Sequence, residues 1–295
     1  MTRPSSTPYD LVIIGGGPAG CAAAVMAASV GLRSALVERR EPGATLRRVP
    51  AVTNVLGFTT GTAFADAVAA DVQRVADSCD LLLGTPATEL RADDEGVTVR
   101  LASGAVVRGR YAIAATGVRA ALPHEAGWLT STVDAPPPVW EADPARLAGR
   151  RALVLGADRP LGTLLRAHPD TPLDLVVPHP PADAYKADEV RSDPRATLLE
   201  LDALDLRPTP EGHLTAGRLG TFAPDTVFVN LGVRPATLPG DLAPAPDGYC
   251  PPDRQHPRIL PAGDLRSPRA QRIMTATGSG AEAALHAYYA LRLDN

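Results

Sequence analysis

The sequence predicts an α/β fold of two strand–helix–strand modules, each followed by an antiparallel meander, the second module inserted into the first. Three observations carry this expectation. A glycine-rich turn at 15–20 stands between a short β-branched run and an alanine-rich stretch. A second strand–glycine unit, Arg151 to Gly156, repeats the start of that pattern. A final strand and long helix, 258–293, are then left over to complete the first module.

Residues 9–15 are apolar and β-branched, the mark of a buried parallel strand. The alanine-rich stretch up to Gly31 reads as helix, and Ser34 to Glu38 as the next strand. Phe64 to Ala76 alternates at helical spacing. Between Thr88 and Ala115 the pattern becomes three short strands, separated by residues 93–96 and 103–104. A linker with Pro123 and Pro136 to Pro138 leads into the second module. Its helix is short because Pro160 opens it and Pro169 closes it. Leu173 to Val177 is the following strand, and 198–206, 213–218 and 226–231 supply further strands. Ile273 to Leu293 is a long helix. The expected domains are 1–118 with 235–295, and 119–234.

Composition excludes several classes. Of 295 residues, 45% are hydrophobic and 21% charged, enough apolar surface for a packed core. The net charge of −4 comes without a basic block, which argues against nucleic acid as a partner. The longest near-apolar run, 21–30, is half of the roughly 20 residues a membrane helix needs. The first residues lack the apolar stretch of a secretory signal, so the expected location is the cytoplasm. Cys21, Cys79 and Cys250 are far apart and contain no Cys-x-x-Cys pair. The six histidines share no ligand spacing, so no metal site is expected. Lys186 is the only lysine, a weak candidate for Schiff-base chemistry.

The strongest motif is Gly15-Gly16-Gly17-Pro18-Ala19-Gly20 between strand and helix. Gly15 permits the tight turn, Gly17 lets the backbone approach a pyrophosphate, and Gly20 lets helix and strand pack closely. Glu38 ends the second strand, where an acid accepts ribose hydroxyls. Both modules are thus Rossmann-like and three-layered. This fingerprint alone does not separate FAD from NAD. The segment 259–264 does, because it puts Asp264 at a strand end, where a carboxylate can accept hydroxyls of a ribityl chain. The helix that follows can turn its N-terminus to the flavin edge that gathers negative charge on reduction.

With these motifs in place, the chain resembles the low-molecular-weight thioredoxin reductase family of FAD-dependent pyridine-nucleotide oxidoreductases. The likeness is firmest over 9–40, 51–58, 110–117, 226–235 and 258–290. Residues 52–58 are similar to the family's flavin-side loop, which implies that Asn54 lies near the isoalloxazine. Ala115-Thr116-Gly117 matches the turn that crosses between domains, 227–235 the return crossing, and Gly263-Asp264 the ribityl-binding pair. The cofactor-binding residues so implied are Gly15, Gly17, Pro18, Ala19, Gly20, Glu38, Arg39, Asn54, Ala115, Thr116, Gly117, Gly263, Asp264, Gln271, Arg272 and Ile273. A homodimer with non-covalent FAD is implied as well.

The chain departs from that family in two places. Where the redox Cys-x-x-Cys-Asp-Gly belongs, it reads Thr130-Ser131-Thr132-Val133-Asp134-Ala135, so both thiols are gone. Asp134 is a weak candidate proton donor, with a solvated linker carboxylate as the plainer reading. The second glycine loop is Gly156-Ala157-Asp158-Arg159-Pro160-Leu161-Gly162, with Asp158 where the pyrophosphate needs a glycine. Pro178-His179-Pro180 replaces the arginines that meet a 2′-phosphate. Cys21, at the start of the first helix, is a weak nucleophile candidate because a helix dipole lowers a thiol pKa; a small packing residue is the alternative. Three functions follow. The first is an FAD oxidoreductase exchanging electrons with another redox protein or a small-molecule donor or acceptor, and not with NADPH. The others are an NAD(P)H-dependent flavoprotein reductase and a non-catalytic flavin-binding protein.

Overall fold

A computed structural model describes residues 7–133, 135–211, 213–222 and 226–293. The chain divides into two compact units, Met1–Val118 with Pro235–Asn295, and Arg119–Arg234. In chain order the first contains β1 (Tyr9–Ile14), α1 (Pro18–Ser29), β2 (Ser34–Glu38), α2 (Gly61–Arg74), β3 (Cys79–Leu83), β4 (Ala87–Ala92), β5 (Val97–Leu101) and β6 (Val106–Ala114). After β7 (Val118–Ala120) the second unit follows. It holds β8 (Leu129–Ser131), α3 (Pro144–Leu147), β9 (Arg151–Leu155), α4 (Pro160–Ala167), β10 (Asp174–His179) and α5 (Ala184–Ala187). It continues through β11 (Ala196–Glu200), β12 (Leu204–Pro208), β13 (Leu214–Thr215), β14 (Thr221–Phe222) and β15 (Val227–Val229). The short strand β16 (Val233–Pro235) pairs with β7. The first unit closes with β17 (Ile259–Pro261) and α6 (Ile273–Leu293).

In the first unit, β3, β2, β1 and β6 are parallel neighbours, and β17 also runs parallel to β6. The meander β4–β5 joins the same sheet through the antiparallel start of β6. The strand period of two sorts the side chains between two cores. Leu11 and Ile13 pack with α1 and α6, whereas Val12 and Ile14 pack with Val97, Val99 and Val107 of the meander. Helices, sheet and meander therefore form three layers. Each fully buried Leu or Ile contributes roughly 1.5–3 kcal/mol.

Small residues set the helix layer. Ala23, Ala24 and Ala27 of α1 and Ala283, Ala284 and Ala287 of α6 are buried in one cluster. A Cβ on Gly280 would stand 1.9 Å from the Ala19 carbonyl oxygen, so the two backbones nearly touch there.

The second unit repeats the plan. Its parallel sheet is ordered β11-β10-β9-β15, and its meander sheet β14-β13-β12-β8. Leu153 and Leu155 face the meander, whereas Ala152 and Val154 face the cluster around α4.

Three sequence expectations need correction, the first being 213–218, where only Leu214–Thr215 is strand and Gly217–Leu219 is a helical turn. The run 198–206 is not one strand: it is split between β11, an edge of the parallel sheet, and β12 of the other sheet. Strand β3 is an addition to the expected elements, because Asp80 interrupts its apolar run; it pairs with β2 from Ser34–Cys79 to Glu38–Leu83. Among the described residues no helix is long and apolar enough to cross a membrane.

Candidate functional site

The carboxyl ends of β2, β1, β6 and β17 lie side by side in the first unit. Glu38, the 15–20 turn, Ala115–Gly117 and Gly263–Asp264 leave the sheet at those ends. The chain order reverses between β1 and β6, the crevice where open α/β sheets bind ligands.

The glycines of the turn have different duties. Gly15 has φ +106°, and a Cβ there would lie 2.4 Å from the Ala115 carbonyl oxygen. A Cβ on Gly20 would lie 1.7 Å from the Gly15 oxygen. Those two are required by the fold. At Gly17 a Cβ would meet no heavy atom within 4 Å. Gly17 caps α1 in an extended conformation, Pro18 opens the helix, and no side chain caps the free N–H groups.

Around the turn, Glu38 Oε2 accepts the Gly16 N–H at 2.6 Å and Oε1 accepts the Arg40 N–H at 2.8 Å. About two of its four lone-pair positions remain for other donors. Arg39 is exposed. Thr116 Oγ1 is buried and without a hydrogen-bond partner among the described residues. The 52–58 loop is anchored by Val52 and Val55, which share a cluster with Phe64 and Ile273 at the start of α6. Asn54 is exposed on that loop. The Gly263 N–H donates to Ser279 Oγ at 2.8 Å, and that hydroxyl donates to the Ala276 carbonyl. Sequence reasoning does not single out Ser279; its place between Gly278 and Gly280 on the helix that follows Asp264 is the available signal.

Burial pushes the Asp264 carboxyl up to about 6, with the Arg272 guanidinium only partly opposing it. Asp264 takes up a proton on folding between its ordinary value and about 6, so ligand-free stability falls as pH rises through that window. Asp264→Asn is expected to stabilise the ligand-free protein at pH 7.5 by about 1–2 kcal/mol, after discounting for solvent screening. Melts at pH 4.5, 6 and 7.5 check this, and an unchanged pH profile in the variant would count against it.

Gln271 is turned inward. Its amide nitrogen reaches the Ser267 carbonyl at 3.0 Å, the Tyr249 hydroxyl at 3.2 Å and the Asp264 carbonyl at 3.4 Å. Arg272 is exposed and donates to the Gln271 carbonyl at 2.7 Å. Just before them Ala270 sits in the left-handed region at φ +59°.

Cys21, the weak nucleophile candidate at the start of α1, is buried. Its Sγ donates to the Gly16 carbonyl at 3.2 Å, and burial, with Glu38 adding to it, pushes the thiol up to about 12. Cys79 and Cys250 are also buried and free, and burial raises both. Native protein at pH 7.5 is expected to react with no equivalent of a charged thiol reagent, and denatured protein with three. Rapid native labelling of Cys21 would contradict this. Asp134 lies outside the described residues. Its neighbours Leu129–Ser131 form β8, where Thr130 pairs with Asp205. Among the described residues no group of three or more His, Cys, Asp or Glu is placed to hold a metal.

The corresponding loop of the second unit is built differently. Gly156 has φ +92°, and a Cβ there would lie 2.5 Å from the Asn230 carbonyl oxygen. Asn230 Nδ2 donates to the Asp158 carbonyl at 2.8 Å and the Gly156 carbonyl at 3.3 Å, while its Oδ1 is buried without a partner among the described residues. Asp158 Oδ1 lies 4.0 Å from Lys186 Nζ, which pairs with Asp183 at 2.9 Å. Against the burial that pulls it down, these carboxylates hold the Lys186 ammonium above its ordinary value. His179 is buried, so it is not an exposed imidazole waiting for a phosphate.

A family model for pyridine nucleotide-disulphide oxidoreductases matches residues 9–157. The F component of the alkyl hydroperoxide reductase of Staphylococcus aureus is 28% identical over 310 residues, covering 95% of this chain. The chain spans only 59% of that relative's length. Among solved structures, Lactococcus lactis thioredoxin reductase in its FR conformation superposes with a TM-score of 0.73 at 21% identity, covering 95% of this chain and 98% of that one. Thioredoxin reductase of T. acidophilum gives 0.71 at 20% identity, with 96% and 98% covered. At these identities the structural likeness speaks for the fold.

Proposed function

Because the chain belongs to the pyridine nucleotide-disulphide oxidoreductase family, we propose that it is an FAD-dependent oxidoreductase whose first unit holds the flavin and whose second unit does not serve NADPH. One observation carries the reading: Gly17 leaves open space at the head of α1, whereas the second loop has a carboxylate at the matching position.

Three features support the fit of a flavin dinucleotide. The uncapped N-terminus of α1 offers N–H groups and its dipole to a pyrophosphate. Glu38 keeps acceptor capacity for ribose hydroxyls. Thr116 Oγ1 is a buried polar atom that lacks a partner among the described residues. A bound flavin supplies reversible electron transfer coupled to protons. In this reading Asp264, kept in register by the Gly263–Ser279 hydrogen bond, accepts a ribityl hydroxyl. The N-terminus of α6, with Arg272 and Ile273, would hold the edge of the ring that gathers negative charge on reduction. Pro18, Ala19, Gly117 and Arg39 border the dinucleotide, and Asn54 the ring. Gln271 contributes through groups other than its committed amide nitrogen.

Without a Cys pair the chain has no dithiol to relay electrons to a disulfide. The electron partner so proposed is another redox protein, or a small-molecule donor or acceptor, and the proposed assembly is a cytoplasmic homodimer.

Anaerobic titration tests this. The purified protein is expected to carry one FAD per chain, to bleach with a low-potential donor such as reduced ferredoxin, and to bleach only slowly with NADPH or NADH. Thioredoxin reduction with NADPH is expected to be undetectable. Rapid bleaching by NADPH would establish an NAD(P)H-dependent reductase instead. A flavin that no physiological class of donor reduces would point to a non-catalytic flavin-binding protein, and failure to take up FAD would remove the premise.

A further inference from the structure

The two units carry the same module in register. A shift of 141 residues takes Gly15 onto Gly156, Gly17 onto Asp158 and Glu38 onto His179. The structure supports the match: a Cβ on Gly15 would strike the Ala115 carbonyl oxygen at 2.4 Å, and one on Gly156 the Asn230 carbonyl oxygen at 2.5 Å. Both turns are built against the strand that follows the meander. Asp158 therefore occupies the one position whose counterpart in the first unit faces open space.

Its side chain is held there. The Asp158 N–H donates to the Asn230 carbonyl at 3.3 Å, and its own carbonyl accepts from Asn230 Nδ2 at 2.8 Å. These bonds fix the backbone on both sides of the Cβ. Oδ2 then lies 3.8 Å from the place of a Gly232 Cβ, and Oδ1 lies 4.0 Å from Lys186 Nζ. Lys186 is the only lysine of the chain, its side chain is 24% exposed, and Asp183 holds it at 2.9 Å. An anion beside a lysine, two residues before α4, puts negative charge where a phosphate would sit, while the Leu161 N–H of the first turn is taken by the Asp158 backbone carbonyl at 3.2 Å.

We infer that Asp158 is a specificity-determining residue: its carboxylate, set against Lys186, stands in for a nucleotide phosphate and closes the second module to dinucleotides by filling it. This rests on the function proposed above, which takes the first module as the occupied one and the second as not serving NADPH. A module that had merely decayed would have no reason to keep its sole lysine half-buried between two acids at this turn. An incoming phosphate must displace one carboxylate and then sit beside another, whose like charge is poorly screened in a half-buried crevice. Removing the Asp158 carboxylate opens the space and leaves Lys186 as a cation for the ligand.

Calorimetry on the FAD-loaded protein, with ADP and NADH as probes at low and high salt, tests the inference. Wild type is expected to show no saturable binding of ADP. D158G and D158A are each expected to bind ADP at least about tenfold more tightly, with a gain that shrinks in high salt. The gain should vanish in D158G/K186M. Circular dichroism and FAD content report whether each variant folds, and D158A guards against a glycine that loosens the turn. If both variants fold and bind no better than wild type, the inference is wrong and the proposed function stands. If the double variant keeps the full gain, the pairing with Lys186 is refuted. Tight binding of NADPH by wild type would overturn the inference and the proposed function together.

Discussion

Gly17→Val is expected to give a folded protein that does not retain FAD. Gly17 lies in an extended conformation, φ −77° and ψ −173°, which a β-branched residue adopts readily. A Cβ there meets no protein atom within 4 Å, so the substitution leaves the packing of the unliganded chain intact. The valine methyls instead project into the space above the N–H groups of α1, where a pyrophosphate must approach to hydrogen-bond distance. Losing two charge-assisted hydrogen bonds costs about 3–6 kcal/mol, roughly 10²–10⁴-fold in affinity. Absorbance of the purified variant, and titration of its stripped form with FAD, read the effect against an unchanged unliganded melting curve. A yellow, stoichiometrically loaded Gly17→Val protein would show that the dinucleotide lies elsewhere.

Gly280→Ala and Gly20→Ala are expected to have the opposite pattern, destroying stability wherever the ligand sits. Their Cβ atoms would stand 1.9 Å and 1.7 Å from the backbone oxygens of Ala19 and Gly15. Backbone cannot step aside like a side-chain tip, so α1 must part from α6 or from the turn behind it. The cost is about 3–5 kcal/mol, at the severe end for single substitutions. Gly278 supplies the control in the same helix. Its Cβ would meet nothing within 4 Å, so Gly278→Ala is expected to stabilise α6 by about 0.5–1 kcal/mol. Urea midpoints of the three variants decide it. Equal midpoints for Gly280→Ala and Gly278→Ala would mean that the helices do not approach as closely as the structure places them.

These contrasts bear on how far the sequence can be read. The turn at 15–20 is legible because glycine, proline and alanine at that spacing serve one local geometry, and local geometry is written in local residues. Helix α6 is legible from end to end for the same reason. The duties of the individual glycines are not, since whether a Cβ would strike Ala115 or empty space depends on partners a hundred residues away. Strand β3 is hidden because a charged residue, Asp80, sits in a sheet-edge strand and bonds across to the Tyr9 hydroxyl. At Cys21 the place at a helix start is visible in the sequence, and the extent of its burial only in the fold. Lys186 stands out in the sequence only as a lone lysine. Asp183 is three residues before it, but Asp158 comes from a turn that meets it only once β9 and β10 are paired.

Strand β6 has a consequence for how the molecule tolerates change. Its first residues pair with the meander, and from Gly109 onward it pairs with β1 and, from Ala112, with β17. Residues 111 and 113 face the helices, and 112 and 114 the meander. Lengthening the chain by one residue between 109 and 114 would exchange those faces and carry the Ala115–Gly117 turn out of place. The tips at Asp93–Gly96 and Ser103–Gly104 are freer, since extra residues there would lie outside the ladders, with the Arg258 bond to the Asp94 carbonyl at 2.9 Å as a tie at the first. Insertions, tags and natural length variation should therefore accumulate at those two tips, while the strand between them and the turn keeps its count.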